Sequence, residues 1–113
     1  MPIEKTLFCV VLTTFPEAEQ AKKLAKSLVE TKLAACVTVV PGSTSFYVWE
    51  GKLEETPECV LIIKTRSRGL PILMRHIKEK HSYSTPEIIV LPIVDGDKSY
   101  LDWVGANTIF SQR

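Results

Sequence analysis

The sequence predicts an α+β fold in which two helices cover one face of a four-stranded antiparallel sheet. Three observations carry this reading. Ala18, Ala21, Leu24, Ala25, Leu28 and Val29 fall on one helical stripe, and Leu70, Leu73, Met74 and Ile77 fall on a second. Four other segments are rich in β-branched and aromatic residues or alternate with period two. The order along the chain is strand, helix, strand, strand, helix, strand and a short last helix. With right-handed crossovers that order closes as a ferredoxin-like βαββαβ sandwich with a long hairpin in the middle and an extra C-terminal helix. The first and third strands are then central and the second and fourth lie at the edges. A chain of 113 residues forms one such domain, spanning 1–113.

Each element has its own warrant. Residues 6–13, TLFCVVLT, are apolar on both faces, as a central strand requires. Thr14-Phe15-Pro16-Glu17 has the form of a capping box, with Pro16 in the first helical turn where its missing N–H is harmless. On the helix behind it, Lys22, Lys23, Lys26 and Glu30 face away from the stripe, and Glu19 is placed to pair with Lys23. Residues 34–65 form two long strands that turn at Glu50-Gly51-Lys52. The first is broken at Pro41-Gly42 and the second is expected to be interrupted near Thr56-Pro57. Ser45, Tyr47 and Trp49 point one way, Phe46 and Val48 the other. Residues 59–63 are apolar on both sides, which predicts burial on both faces.

The length of this hairpin matters. Residues 52–65 extended span ~45 Å at ~3.3 Å per residue. A compact chain of this size is about 34 Å across, from a radius of gyration of roughly 13 Å. The hairpin therefore overhangs its domain and needs a neighbouring surface. Beyond it, Ser67 is a candidate N-cap for the second helix, and His81 ends that helix's stripe. A turn at residues 82–86 leads to the last strand, 87–94, whose Pro92 marks a sheet edge. Asp97 is placed to cap a final helix carrying Tyr100, Leu101, Trp103 and Val104.

Composition narrows the function classes. The chain is 45% apolar and 24% charged, as in ordinary globular proteins, and its net charge of +1 gives no reason to expect nucleic acid or an anionic membrane. No apolar run reaches the ~18 residues of a membrane span, and the first five residues do not read as a signal peptide, so a cytoplasmic location is expected. Cys9, Cys36 and Cys59 lie in strand-like runs, with no C-x-x-C pair for zinc and no disulfide pattern.

The residues bear on three kinds of site. RNA binding needs aromatics on the third strand, which reads CVLIIKT. An enzyme needs a nucleophile beside a base or a phosphate cradle, and neither motif is present. Imidazole and thiolate ligands point to soft or borderline cations, but His76 and His81 are five apart and are not an i,i+4 pair on a helix.

The motifs themselves resemble a known family. Leu33-Ala34-Ala35-Cys36-Val37, Pro41-Gly42, Ser45-Phe46-Tyr47-Val48-Trp49-Glu50-Gly51-Lys52, His81-Ser82-Tyr83-Ser84-Thr85-Pro86-Glu87 and Tyr100-Leu101-Asp102-Trp103 are similar to the CutA family of divalent-cation tolerance proteins, over essentially the whole chain. The resemblance implies a cytoplasmic, non-catalytic homotrimer whose subunits pair at strand edges. It also implies a role in the response to copper and other divalent cations, with no organic cofactor. Of the metal ligands found in some members, the chain keeps His81, while Thr13 and Lys80 stand where those members have cysteine and histidine. The expected metal contacts are therefore His81, with Glu87 beside it. An alternative is a small-molecule sensor of the PII kind. Its intersubunit cleft would be lined by Tyr47, Trp49, Lys64, Tyr83 and Glu87, unless Tyr47 and Trp49 serve as interface packing and Lys64 pairs with Glu87.

Overall fold

The computed structural model describes residues 7–109. Its elements are β1 (Phe8–Phe15), α1 (Ala18–Glu30), β2 (Cys36–Trp49), β3 (Lys52–Arg66), α2 (Leu70–Lys80), β4 (Ile88–Pro92) and α3 (Lys98–Ala106). The sheet order is β2-β3-β1-β4, with every neighbouring pair antiparallel. β1 and β3 are central, and Pro92 lies on the β4 edge, as its missing N–H requires. One face of the sheet carries Cys9, Val11 and Phe15 from β1 and Cys59, Leu61 and Ile63 from β3. These residues close a core with Leu24 and Leu28 of α1 and Leu73 and Ile77 of α2.

The opposite face is only partly covered. α3 lies across one end of it, with Gly105 so close to the Arg66 guanidinium that an added Cβ would sit 2.5 Å from it. Elsewhere among the described residues Leu12, Val60 and Ile62 stay half-buried, and Val40, Ile89 and Leu91 are exposed. Burial of residues 59–63 on both sides is therefore not achieved within one chain.

The hairpin overhangs as its length predicts. β1 pairs with β3 only from Cys59 to Arg66, so the β2–β3 ladder beyond that point has no third strand. The molecule measures 46 × 30 × 23 Å. The turn is a two-residue loop with Glu50 at φ 51° and Gly51 at φ 79°, the positive-φ pair whose twist matches antiparallel strands. The single register shift lies on β2 between Val40 and Ser43, where Gly42 adopts φ 79°.

Several local expectations are corrected. Thr14 and Phe15 remain in the β1 ladder, opposite Val60 and Cys59, so no capping box forms. Glu17 takes the N-cap position of α1 without a side-chain bond. Ser67 opens a 3-10 turn (Ser67–Gly69), and Gly69 is the residue before α2. Thr56-Pro57 does not interrupt β3, because β1 pairing starts only at Cys59 and leaves Pro57 a free side. Val29 is exposed rather than buried, and the only ion pair among the described residues is Lys98–Asp102, not Glu19–Lys23. Thr6 lies outside the described residues, and β4 is shorter than residues 87–94. Asp97 does cap α3, accepting from the Tyr100 N–H at 3.1 Å.

Candidate ligand cleft

The bulge at Gly42 decides what faces the cleft. Val40 pairs with Val60 and Ser43 with Glu58, so Pro41 and Gly42 together oppose the one residue Cys59, and β2 carries one extra residue. The extra residue keeps Ser43, Ser45, Tyr47 and Trp49 on the same side as the uncovered sheet face. Register then places Thr56 opposite Ser45 and Glu54 opposite Tyr47. Thr14, at the end of β1, and the turn after α2 supply the remaining walls. The result is a cleft of about 730 Å³ lined by Ser45, Phe46, Tyr47, Trp49, Glu54 and Glu58 of the hairpin, together with Thr14, Ser82, Tyr83, Ser84, Thr85 and Glu87.

Glu58 is the built centre of this cleft. It is 7% exposed. Its Oε1 accepts from Ser45 Oγ at 2.7 Å, and its Oε2 accepts from the Tyr83 hydroxyl at 3.2 Å. Burial pushes the Tyr83 phenol up from its ordinary value, and the neighbouring Glu58 carboxylate pushes it further. Tyr47 OH and Thr56 Oγ1, 2.9 Å apart, fix the next step along the same face.

His81 stands behind the cleft and holds its turn in place. It terminates α2 in an extended conformation, φ −87° and ψ 142°. The Tyr83 backbone N–H donates to Nδ1 at 3.0 Å, so that nitrogen carries no proton. Nε2 therefore carries the proton and donates to the Thr14 carbonyl at 2.6 Å. The ring stacks on Phe15 with centroids 4.2 Å apart and lies 4.9 Å from the Tyr83 ring. Both nitrogens of the imidazole are engaged, and its ring packs against Phe15 and Tyr83.

The expected site residues thus separate. Tyr47, Trp49, Tyr83 and Glu87 come together at the cleft. Lys64 does not join them: on the sheet face, its Nζ donates to Thr38 Oγ1 at 2.9 Å rather than pairing with Glu87. Neither nitrogen of His81 has a lone pair free for a metal ion. Among the described residues no three His, Cys, Asp or Glu side chains converge as a metal seat. The residues of one chain accordingly do not fit a preformed copper site. Glu58, Glu54, Ser45 and Thr14 were missed by sequence reasoning. Counting the Pro41-Gly42 bulge as one extra residue would have set Glu58 opposite Ser43 and revealed the acidic side of the hairpin.

Comparison with known proteins agrees with the motifs. The profile described as CutA1 divalent ion tolerance protein matches residues 9–107. A divalent-cation tolerance protein CutA from Thermus thermophilus is 48% identical over 99 residues, covering 88% of this chain and 96% of that protein. The one from Pectobacterium atrosepticum is 48% identical over 98 residues, covering 87% and 89%. The solved structure of the Thermus thermophilus protein superposes with a TM-score of 0.87 at 47% identity, covering 90% of this chain and 99% of that one. For CutA1 from Oryza sativa the TM-score is 0.90 at 46% identity, covering 94% and 97%. With the fold, the hairpin motifs and nearly the full length shared, this chain belongs to the CutA1 divalent ion tolerance family.

Proposed function

We propose that the protein is a non-catalytic homotrimer of the cytoplasm that takes part in the response to divalent cations, copper among them. Family membership supports the cation role. The observation that carries the assembly is the uncovered apolar sheet face, Leu12, Val40, Val60, Ile62, Ile89 and Leu91, continuous with an overhanging hairpin. Exposed contiguous apolar surface of this kind marks an interaction site. Three free cysteines suit a reducing compartment. A non-catalytic role is supported by His81, whose ring nitrogens are both bound to backbone and serve no nucleophile as a base.

The test combines light scattering with calorimetric titration of Cu²⁺, Zn²⁺ and Mn²⁺. A mass of three chains and a saturable response to at least one ion are expected. A monomer at micromolar concentration, or no response to any ion, overturns the reading. Copper affinity should be the same in the wild type and in His81→Ala, because the imidazole is already committed. A second reading, a sensor with a small-molecule ligand in this cleft, is favoured by its volume within one chain of about 730 Å³, which lies in the range of small-molecule sites.

A further inference from the structure

We propose that the cleft takes a small organic cation, an aliphatic ammonium ion. This rests on the second reading above, that the cleft is a ligand site, and names the chemistry of the ligand. The volume sets the scale: at ~30 Å³ per water, a cleft of about 730 Å³ is several times the space of a six-water metal ion. The walls set the class. Tyr47, Trp49 and Tyr83 supply aromatic surface, whose rings attract ammonium groups through their quadrupoles. Glu54, Glu58 and Glu87 supply carboxylates, and among the described residues of the chain no Lys, Arg or His lines the cleft. An anionic ligand meets only like charge there, and a neutral one gains nothing from it.

The spacing of the carboxylates separates an organic cation from a metal ion. A hard divalent ion needs six or more oxygens drawn to within ~2.6 Å. The three carboxylates share the cleft, yet among the described residues no three ligating side chains converge on a point. Carboxylates that do not converge, in a cleft with aromatic walls, suit a charge spread over a larger, partly apolar body. Glu58 is already oriented for this role. Each of its oxygens accepts one hydrogen bond, from Ser45 and from Tyr83, and each retains capacity for another. The carboxylates alone define no ligand. The cavity, the aromatic walls and the oriented, buried Glu58 together do.

The experiment uses the full chain in its native assembly. Trp103 lies on α3 outside the cleft, so Trp103→Phe leaves Trp49 as the single tryptophan. Its fluorescence is followed during titration with n-butylammonium chloride at constant ionic strength. n-Butanol, sodium butyrate and magnesium chloride are titrated in parallel. The expected result is saturable binding of n-butylammonium, at least about tenfold tighter than butanol or butyrate. Glu87→Gln and Glu54→Gln, at exposed and half-buried positions that the fold tolerates, should each weaken it several-fold with thermal stability unchanged. If butanol or butyrate saturates as tightly as n-butylammonium, the ligand class is wrong and the cleft remains a ligand site. If magnesium displaces n-butylammonium at lower concentration, the seat belongs to a metal ion and the proposal falls. If no probe saturates, the ligand class and the cleft reading fail together. Unchanged n-butylammonium affinity in the Glu54→Gln, Glu87→Gln double variant also overturns the placement.

Discussion

At His81 the chain fixes a tautomer by geometry alone. A backbone N–H has only a proton to offer and a backbone carbonyl only lone pairs, so Nδ1 must be bare and Nε2 protonated. The ¹⁵N shifts of the ring should show the Nε2–H form, and addition of Cu²⁺ should leave them in place; an Nδ1–H form contradicts the arrangement. His81→Ala leaves the Thr14 carbonyl and the Tyr83 N–H without their partner, which costs ~1–3 kcal/mol by chemical denaturation. Tyr83 makes a second prediction at this scale. Burial first, and the Glu58 carboxylate next, hold its phenol protonated in the fold above its ordinary value. In the unfolded chain a tyrosine loses its proton near pH ~10. The folded state then binds more protons than the unfolded one, so stability falls as pH rises above that point and through the folded value. Urea unfolding between pH 8 and 11 should give parallel curves for the wild type and Tyr83→Phe at the lower end. Above pH ~10 the variant should fall less steeply, while Cys9, Cys59 and Tyr100, raised in the same direction, contribute equally to both. Identical slopes throughout would show that Tyr83 titrates as it does in the unfolded chain.

The β2–β3 hairpin shows what a single inserted residue controls. Side chains alternate along a strand, so a slip of one residue exchanges its two faces. The bulge at Gly42 lets Val40 join the sheet face and still delivers Tyr47 and Trp49 to the cleft. Deleting Gly42 removes the extra residue. Pro41 should then oppose Cys59 in a regular ladder, and Tyr47 and Trp49 should stay on the cleft side, opposite Glu54 and Lys52, provided the Glu50-Gly51 loop keeps its register. A displaced Trp49 emission maximum in the deletion variant, measured in the Trp103→Phe background, would contradict this. The hairpin also shows what was legible in the sequence. Its existence, its overhang, its turn and the Pro41-Gly42 break follow from spacing and turn chemistry in one dimension. The partners across it do not, because Ser45–Glu58 and Tyr83–Glu58 depend on counting a bulge and on a turn 25 residues away. The same limit explains the failed caps. Thr14 and Ser67 are ordinary cap residues, but the ladder with Val60 claims one and a 3-10 turn the other. His81 was legible as the end of a helix; the two backbone groups that absorb its nitrogens were not.

For the whole molecule, the two faces of the sheet pose different problems. The core face is closed by α1 and α2. The other leaves Ile89 and Leu91 exposed on an edge strand, beside half-buried Leu12 and Ile62. On the overhang, Phe46 is 65% and Leu53 74% exposed. Each such side chain gains ~1.5–3 kcal/mol when fully buried, so a partner that covers several of them binds tightly. The sheet face and the hairpin belong to one continuous surface, which makes association and the cleft interdependent. Ile89→Lys puts a charge on the apolar face at a position with room for it in a single chain. The monomer should fold, with unchanged far-ultraviolet circular dichroism, but the proposed trimer should dissociate on dilution where that of the wild type holds together. Trp49→Ala, 50% exposed at the hairpin end, should weaken the assembly before it unfolds the chain. Sedimentation velocity over a thousandfold dilution distinguishes the cases. If Ile89→Lys remains assembled at nanomolar concentration, the sheet face is not the contact and the overhang must hold the subunits alone. If Trp49→Ala alone remains assembled, the hairpin end serves the cleft rather than the interface.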